Sequence, residues 1–211
     1  LASKLTQYRK KFLQFQNFYL RSTLGVSDIE GVRSVFDDLS KNFRIALSYF
    51  DDRGKVTEKI MKDNIKKLRN LFFKFIIFCK KEGRIDLPLE LINLSQMVSR
   101  IRNHEKRKSF CSAGRSYFSI SSKGGIYLCH RFNENNSAKL GDIYQGFYKK
   151  KFDLEEKTYF KKEPCNSCWV RNLCLGGCFY EHDLSSKKNK LFCEIQRMEV
   201  AVALFYLKEL G

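Results

Sequence analysis

The chain has 211 residues, which is long enough to bury a core in one domain or two. Its formal net charge is +17, and its 40 Lys and Arg residues are spread along the whole length. Because no known nucleic-acid-binding motif accompanies this charge, we expect a solvated basic surface rather than a nucleic-acid interface.

No apolar run reaches the roughly 18 residues that a membrane span needs, and the first residues do not form a signal peptide. We therefore expect no membrane partner. Eight cysteines in a chain without secretion features indicate a reducing compartment, where clustered thiols bind metal or take part in redox chemistry. The sequence thus predicts a cytoplasmic protein.

The first part of the chain alternates predicted strands and helices, beginning with the end of a helix at 1–15. Ser27 and Glu30 have the spacing of a helix N-terminal capping box. The next predicted elements are a strand at 17–24, a helix from Ser27 to about residue 42, a strand at 43–50 and helices at 57–81 and 89–105. This order is an α/β pattern, whose strands normally pair in parallel.

The helix at 57–81 carries apolar residues three or four positions apart, which predicts one buried face. The face consists of Ile65, Leu68, Phe72, Phe75 and Cys79. We therefore interpret Cys79 as a small core residue rather than as a ligand.

The pattern changes near residue 105 to short strands and turns. Segments 117–121 and 126–132 flank a Ser-Lys-Gly-Gly turn and predict a β-hairpin. A brief strand or turn is expected at 140–143, and an apolar stripe predicts a terminal helix at 191–210.

Seven of the eight cysteines fall in this second region, and four of them lie within fourteen residues at the spacing C-x2-C-x5-C-x3-C. The seven are Cys111, Cys129, Cys165, Cys168, Cys174, Cys178 and Cys193. Thiolates so spaced surround a compact soft cation or cluster, and the two glycines before Cys178 let the backbone approach the sulfur atoms.

Three interpretations compete for these cysteines. Disulfides need an oxidising compartment and would leave one of the seven thiols over. Structural zinc would use four thiolates, or three with an imidazole from His104, His130 or His182, but zinc domains with two sites usually repeat the CxxC pair. Iron–sulfur clusters account for the set best, since ligation by four cysteines is their rule.

The wider pattern carries a family resemblance. In full it reads Cys111-x12-Gly124-x4-Cys129, then Cys165-x2-Cys168-x5-Cys174-x3-Cys178, then Cys193. This pattern resembles the seven-cysteine signature of SPASM domains, the C-terminal extensions of radical S-adenosylmethionine (SAM) enzymes that modify peptides and proteins. The segments Ile126-Tyr-Leu-Cys-His-Arg-Phe132 and Lys139-Leu-Gly-Asp-Ile143 are most similar to thioether-forming peptide maturases and to maturases of quinohemoprotein amine dehydrogenase.

The resemblance implies an α/β fold with two domains. Residues 1–105 would form the C-terminal portion of a partial TIM-like (radical SAM) barrel with a linking helix. Residues 106–211 would form an irregular α+β SPASM domain with a β-hairpin and a cysteine knot, binding two auxiliary [4Fe–4S] clusters. The implied ligands are Cys111, Cys129 and Cys178 for auxiliary cluster I, and Cys165, Cys168, Cys174 and Cys193 for auxiliary cluster II.

Auxiliary cluster I has one ligand fewer than the family's sulfatase-maturing members give it. Those relatives place a further cysteine where this chain has Glu105. Either His104 or Glu105 completes the site, or one iron stays open to a substrate thiolate, as the thioether-forming relatives suggest. We hypothesise the open site.

The family's CxxxCxxC motif, which binds the cluster that cleaves SAM, is absent from these residues. On this reading the chain is inactive alone, and we expect it to be part of a longer protein that supplies SAM and a third [4Fe–4S] cluster. A separate chain is the other possible source. Arg21 and Ser22, at the end of a predicted barrel strand, are candidates to face the SAM cofactor.

The function implied is that of an enzyme that modifies a precursor peptide, with thioether cross-linking as one such reaction. Its partners would be that peptide and an electron-transfer protein. Two alternatives stay open: a sulfatase-type protein maturase, and a zinc-containing module that binds nucleic acid.

Overall fold

The computed structural model of the chain describes residues 20–25, 28–39, 44–50, 57–105, 107, 109–135, 138–148, 163–178, 180 and 190–211. The predicted helix at 1–15 and the predicted helix cap at Ser27 lie outside the described residues. The chain divides into two compact units. The first consists of Leu1–Glu105 with Cys193–Gly211, and the second of Lys106–Phe192.

Helices and strands occur in both units, so the mixed α/β class is observed. In chain order the elements are β1 Leu20–Gly25, α1 Ile29–Leu39, β2 Ile45–Phe50, α2 Glu58–Lys81, α3 Ile92–Arg102, β3 Ser119–Ile120, β4 Gly125–Tyr127, β5 Lys139–Asp142, β6 Gly146–Phe147, α4 Arg171–Cys174 and α5 Lys190–Leu210. Short 3₁₀ turns lie at Leu87–Glu90 and His130–Phe132.

Strands β1 and β2 pair in parallel, with Arg21 beside Ala46 and Ser22 beside Leu47. The parallel pairing predicted from the alternation of elements is therefore confirmed. Helix α1 connects the two strands as a crossover, which is the usual way to bring parallel neighbours together.

Helix α3 is shorter than the predicted helix at 89–105. A 3₁₀ turn occupies Leu87–Glu90, and Leu91 after it has extended backbone at φ −74° and ψ 106°, so the α-helix begins only at Ile92. At the other end, His104 adopts a φ of 48°, in the left-handed region that cannot continue a helix.

Helix α2 begins at a cap, because the Thr57 hydroxyl accepts a hydrogen bond from the Ile60 N–H at 3.3 Å. The predicted apolar face is confirmed for its buried members, which are Ile65, Leu68, Phe72 and Cys79. Phe75, predicted on the same face, is half-buried and stacks on Phe36 with ring centroids 4.3 Å apart.

Helix α5 confirms the predicted terminal helix and packs on α2 within the first unit. Phe205 stacks on Phe73 at 4.1 Å between ring centroids, and Lys80 pairs with Glu209 at 3.0 Å. None of the helices in the described part of the chain has both the length and the apolar character to cross a membrane.

The second unit contains an antiparallel sheet in the order β3-β4-β5-β6. The turn between β3 and β4 closes with the Ser121 N–H donating to the Gly125 carbonyl at 2.9 Å. Gly124 sits there at a φ of 79°, which explains the glycine at this turn. The brief strand expected at 140–143 is present as β5.

The predicted second hairpin strand at 126–132 is wrong beyond Tyr127. Strand β4 ends there, and a 3₁₀ turn occupies His130–Phe132. The turn lets Leu128 and Phe132 both enter the apolar core of this unit. A continuous strand through residue 132 would have carried Phe132 further along the sheet instead. The core cluster of the second unit comprises Ala113, Tyr127, Leu128, Phe132 and Leu140.

Candidate functional site

Cysteines from three separate segments of the second unit lie near one another. We call Cys111, Cys129 and Cys178 the thiol triad. All three are half-buried. Cys111 and Cys129 both pack against the apolar core cluster of the unit, so their sulfur atoms are held at the edge of a region from which water is largely excluded.

The thiols of the triad interact electrostatically. Burial raises the pKa of the Cys111 thiol above its ordinary value of 9.0, the backbone N–H of Ala113 lowers it, and Cys178 and Cys129 raise it further. A charge on one thiol is felt by another only at short range, because interactions between charges weaken with distance and screening. The triad therefore forms one electrostatic group although its members are far apart in sequence.

A left-handed turn directly precedes Cys178 and positions it in the triad. Leu175, Gly176 and Gly177 have successive φ values of 53°, 81° and 78°. This run reverses the chain after the short helix α4, and the Gly177 N–H donates to the Cys174 carbonyl at 3.0 Å. The two glycines of the motif are therefore required by backbone conformation.

Three contacts hold Cys178 and Tyr180 against the 3₁₀ turn that follows Cys129. The Arg131 guanidinium donates to the Cys178 sulfur at 3.9 Å and lies 3.9 Å from the centroid of the Tyr180 ring. Tyr180 in turn meets Phe132 edge to face at 5.2 Å. These contacts place the Cys178 segment against the core cluster.

A second guanidinium borders the triad. Arg107 lowers the pKa of Cys111, so its positive charge acts on that thiol. Its Nη2 donates to the Phe110 carbonyl at 2.8 Å, while its Nη1 is buried and has no hydrogen-bond partner among the described residues. The triad is thus flanked by positive charge.

The remaining predicted ligands are divided between the units. Cys165, Cys168 and Cys174 belong to the second unit, where the Cys168 N–H donates to the Cys165 carbonyl at 3.2 Å. Cys193 lies in α5 and belongs to the first unit. In the described part of the chain, no three or more His, Cys, Asp or Glu side chains stand close enough together to hold a metal ion. The triad is therefore coupled without converging on a point.

No disulfide joins any of the eight cysteines, all of which are described. Cys79 is fully buried in α2, and burial raises the pKa of its thiol to about 11. A thiol so placed is almost entirely protonated at neutral pH, which agrees with a core role.

Arg21 and Ser22 were predicted to lie at the end of a strand, but β1 continues past them to Gly25. The Arg21 side chain is exposed, and its Nε donates to the Ser48 hydroxyl at 3.1 Å. His104 and Glu105, considered as additional ligands, are both exposed at the end of α3.

His130 lies within the segment predicted as a strand at 126–132. The residue instead starts the 3₁₀ turn, and its Nδ1 shares a 3.2 Å hydrogen bond with the Tyr117 hydroxyl. This contact gives the exposed imidazole a protein partner within the second unit.

The first unit contains a partly buried carboxylate, that of Glu199, which the sequence did not indicate. Glu199 borders a cavity of about 20 Å³, whose walls are otherwise apolar except for Asn93. Burial raises the pKa of Glu199 to about 6, against hydrogen bonds from Asn93 and Gln196 that lower it. The cavity has room for about one water molecule and is far smaller than a typical ligand site.

Arg107, Arg131 and Glu199 were not predicted from the sequence. Arg131 and Tyr180 each follow a triad cysteine by two positions, which is the one local signal that links them. No family model and no curated protein matches the sequence.

Proposed function

We propose that this protein is part of a radical SAM enzyme of the SPASM type, which modifies a precursor peptide. In this proposal the second unit, with α5, is the SPASM domain, and the first unit is the end of the partial TIM-like barrel. The CxxxCxxC motif is not among the 211 residues, so the radical-forming centre would lie outside them.

The observation that carries the proposal is the electrostatic coupling of the thiol triad. Its three cysteines are separated by 17 and 48 intervening residues, yet Cys129 and Cys178 both act on Cys111. A hydrophobic core alone has no reason to collect three ionisable thiols at one edge. Thiolate ligation of iron is a physical reason to do so.

The chemistry of the surroundings fits an anionic, sulfur-ligated group. Two guanidinium groups border the triad, and one of them has a buried N–H without an acceptor. A cluster held by thiolates supplies both the negative charge and the sulfur acceptors that such groups require. Holding it would require the triad side chains to turn toward a common point.

The protein's contribution would be to hold the auxiliary clusters, to shield them from water and to orient them. The triad and the set Cys165, Cys168, Cys174 and Cys193 would each hold one auxiliary [4Fe–4S] cluster, and such clusters supply one-electron transfer when bound. The core cluster beside Cys111 and Cys129 keeps water from the sulfur atoms. With three thiolates, the triad leaves one iron position for a substrate thiolate.

Metal and sulfide analysis after anaerobic purification tests the proposal. We expect about eight irons and eight acid-labile sulfides per chain from two [4Fe–4S] clusters. Cys129→Ala should lose about four irons, since it removes one triad ligand. Cys79→Ala is the matched control, because Cys79 is buried in α2 and should leave the iron content unchanged.

Zinc without sulfide would contradict the proposal and favour a structural zinc module. An equal loss of iron in Cys79→Ala would show that the loss follows unfolding rather than ligand removal. Within the proposed class, a sulfatase-type maturase is separated from a peptide maturase by the substrate that the complete protein modifies.

A further inference from the structure

Arg107 has a buried donor that the described protein atoms leave without an acceptor. Its Nη2 is used by the Phe110 carbonyl at 2.8 Å, which fixes the plane of the guanidinium. Its Nη1 has no such partner. Leaving a buried donor unsatisfied is costly, and more so for a charged group, so this site requires an acceptor from outside the described protein atoms.

Arg131 also contacts the thiol triad, but it follows Cys129 in the sequence whereas Arg107 precedes Cys111. It extends from the 3₁₀ turn after Cys129 to the Cys178 sulfur, 3.9 Å from Nη1. The Tyr180 ring lies against its guanidinium at 3.9 Å. A planar, charged group stacked on an aromatic face loses less freedom when it donates a hydrogen bond than an unsupported side chain does.

Arg131 therefore presents an N–H donor to one sulfur atom of the triad, and Arg107 places positive charge beside another. Iron–sulfur clusters become more negative when they take up an electron. Hydrogen bonds and positive charge at the sulfurs stabilise this reduced form more than the oxidised form, and so raise the reduction potential. The charge at the site has this effect whether or not one iron has an open position.

We propose that Arg107 and Arg131 are positioning residues that donate hydrogen bonds to the sulfur atoms of a cluster held by the thiol triad and raise its reduction potential. The inference rests on the proposed function, since it needs a cluster at the triad. It assigns the two arginines a role that is electrostatic rather than that of ligands.

Redox titration monitored by electron paramagnetic resonance tests this role on the full chain loaded with iron and sulfide. The variants are Arg107→Met and Arg131→Met, which remove the donors and keep most of the side-chain length. Arg115→Met is the matched control, because Arg115 is an exposed arginine of the same unit. Iron content is measured on every sample.

We expect each of the two substitutions to make one of the two cluster potentials more negative and to leave the other unchanged. The shift should reach about tenfold in the ratio of reduced to oxidised cluster at a fixed potential, which is about 59 mV for one electron. Arg115→Met should shift neither potential. A merely structural role would lower the iron content without moving the potential of the cluster that remains.

Glutamine variants keep the inference testable where a methionine variant loses its iron, because glutamine retains one N–H donor without the charge. Arg107→Gln and Arg131→Gln should show a smaller shift in the same direction. Unchanged potentials in variants that keep their iron would overturn this inference and leave the proposed function standing. A wild-type chain that binds no iron and sulfide would overturn both.

Discussion

Asn93 and Glu199 are joined by a hydrogen bond of 2.9 Å, from the Asn93 Nδ2 to the Glu199 Oε1. The Asn93 Oδ1 accepts the backbone N–H of Leu47 on β2 at 2.9 Å. Leu91, two residues earlier, forms an isolated parallel bridge with Ile45. The start of α3 thus pairs with the edge of β2 that would otherwise be open to another strand. Glu199 orients the Asn93 side-chain amide that makes one of these contacts.

Glu199→Gln should change how stability depends on pH. The folded-state pKa of Glu199 is raised from 4.5 to about 6 by burial, so the folded protein holds this proton more tightly than the unfolded chain. The contribution of protonated Glu199 to the free energy of unfolding is complete below about pH 4.5. It is lost as the pH rises through about 6, which lowers that free energy by about 2 kcal/mol. The glutamine variant does not titrate and should lack this loss, as urea denaturation from pH 4 to pH 7 would measure.

Glu194→Gln serves as the control for that experiment. Glu194 lies on the same helix, but it pairs with Arg197 at 2.6 Å near the surface. We expect this variant to retain the loss of stability between pH 4.5 and 6. If Glu199→Gln also retained it, the titrating group would have to be another residue.

Asn93→Ala should destabilise the first unit strongly. The change leaves the Leu47 N–H without its acceptor in a partly buried site, and it leaves Glu199 with the hydrogen bond from Gln196 but not the one from Asn93. We expect a loss of about 2–3 kcal/mol in the free energy of unfolding. Asn103→Ala, at the exposed end of α3, should cost no more than about 0.5 kcal/mol. Equal losses in the two variants would contradict this account of the β2 edge.

Cys79 should resist alkylation in the folded protein. Its thiol is fully buried and its pKa is raised to about 11, so both access and the thiolate form are missing. Iodoacetamide treatment of the metal-free chain, followed by mass spectrometry, should leave Cys79 unmodified until urea unfolds the protein. Half-buried Cys165 provides the internal comparison. Modification of Cys79 at the rate of Cys165 without urea would show that α2 opens readily.

The elements of the first unit could be predicted because their signals are local. Alternation of strands and helices predicts the parallel pair β1 and β2, and apolar spacing predicts the buried face of α2. The strand predicted at 126–132 failed because alternating apolar residues fit a strand as well as a turn that buries Leu128 and Phe132. Such a choice is made by tertiary packing, which periodicity does not contain.

The surroundings of the thiol triad could not be predicted from the sequence. The cysteine spacing predicts clustered ligands, and the grouping of the triad as one ligand set stays a prediction. Arg107 and Arg131 are two among 40 basic residues, so composition cannot distinguish them from a solvated surface. Glu199 stands between Met198 and Val200, both buried, and a helical pattern alone places a carboxylate there toward solvent as readily as toward a cavity.

Gly177→Ala should separate backbone strain from ligand placement. Gly177 has a φ of 78°, in a left-handed run that ends at Cys178, and an alanine there costs about 1–2 kcal/mol. Gly83→Ala introduces comparable strain at a φ of 67°, in open space after α2. We expect both variants to lose similar stability in urea denaturation, but only Gly177→Ala to bind fewer irons, since only it displaces a triad cysteine. Equal iron content in the two variants would contradict the role assigned to the glycine run before Cys178.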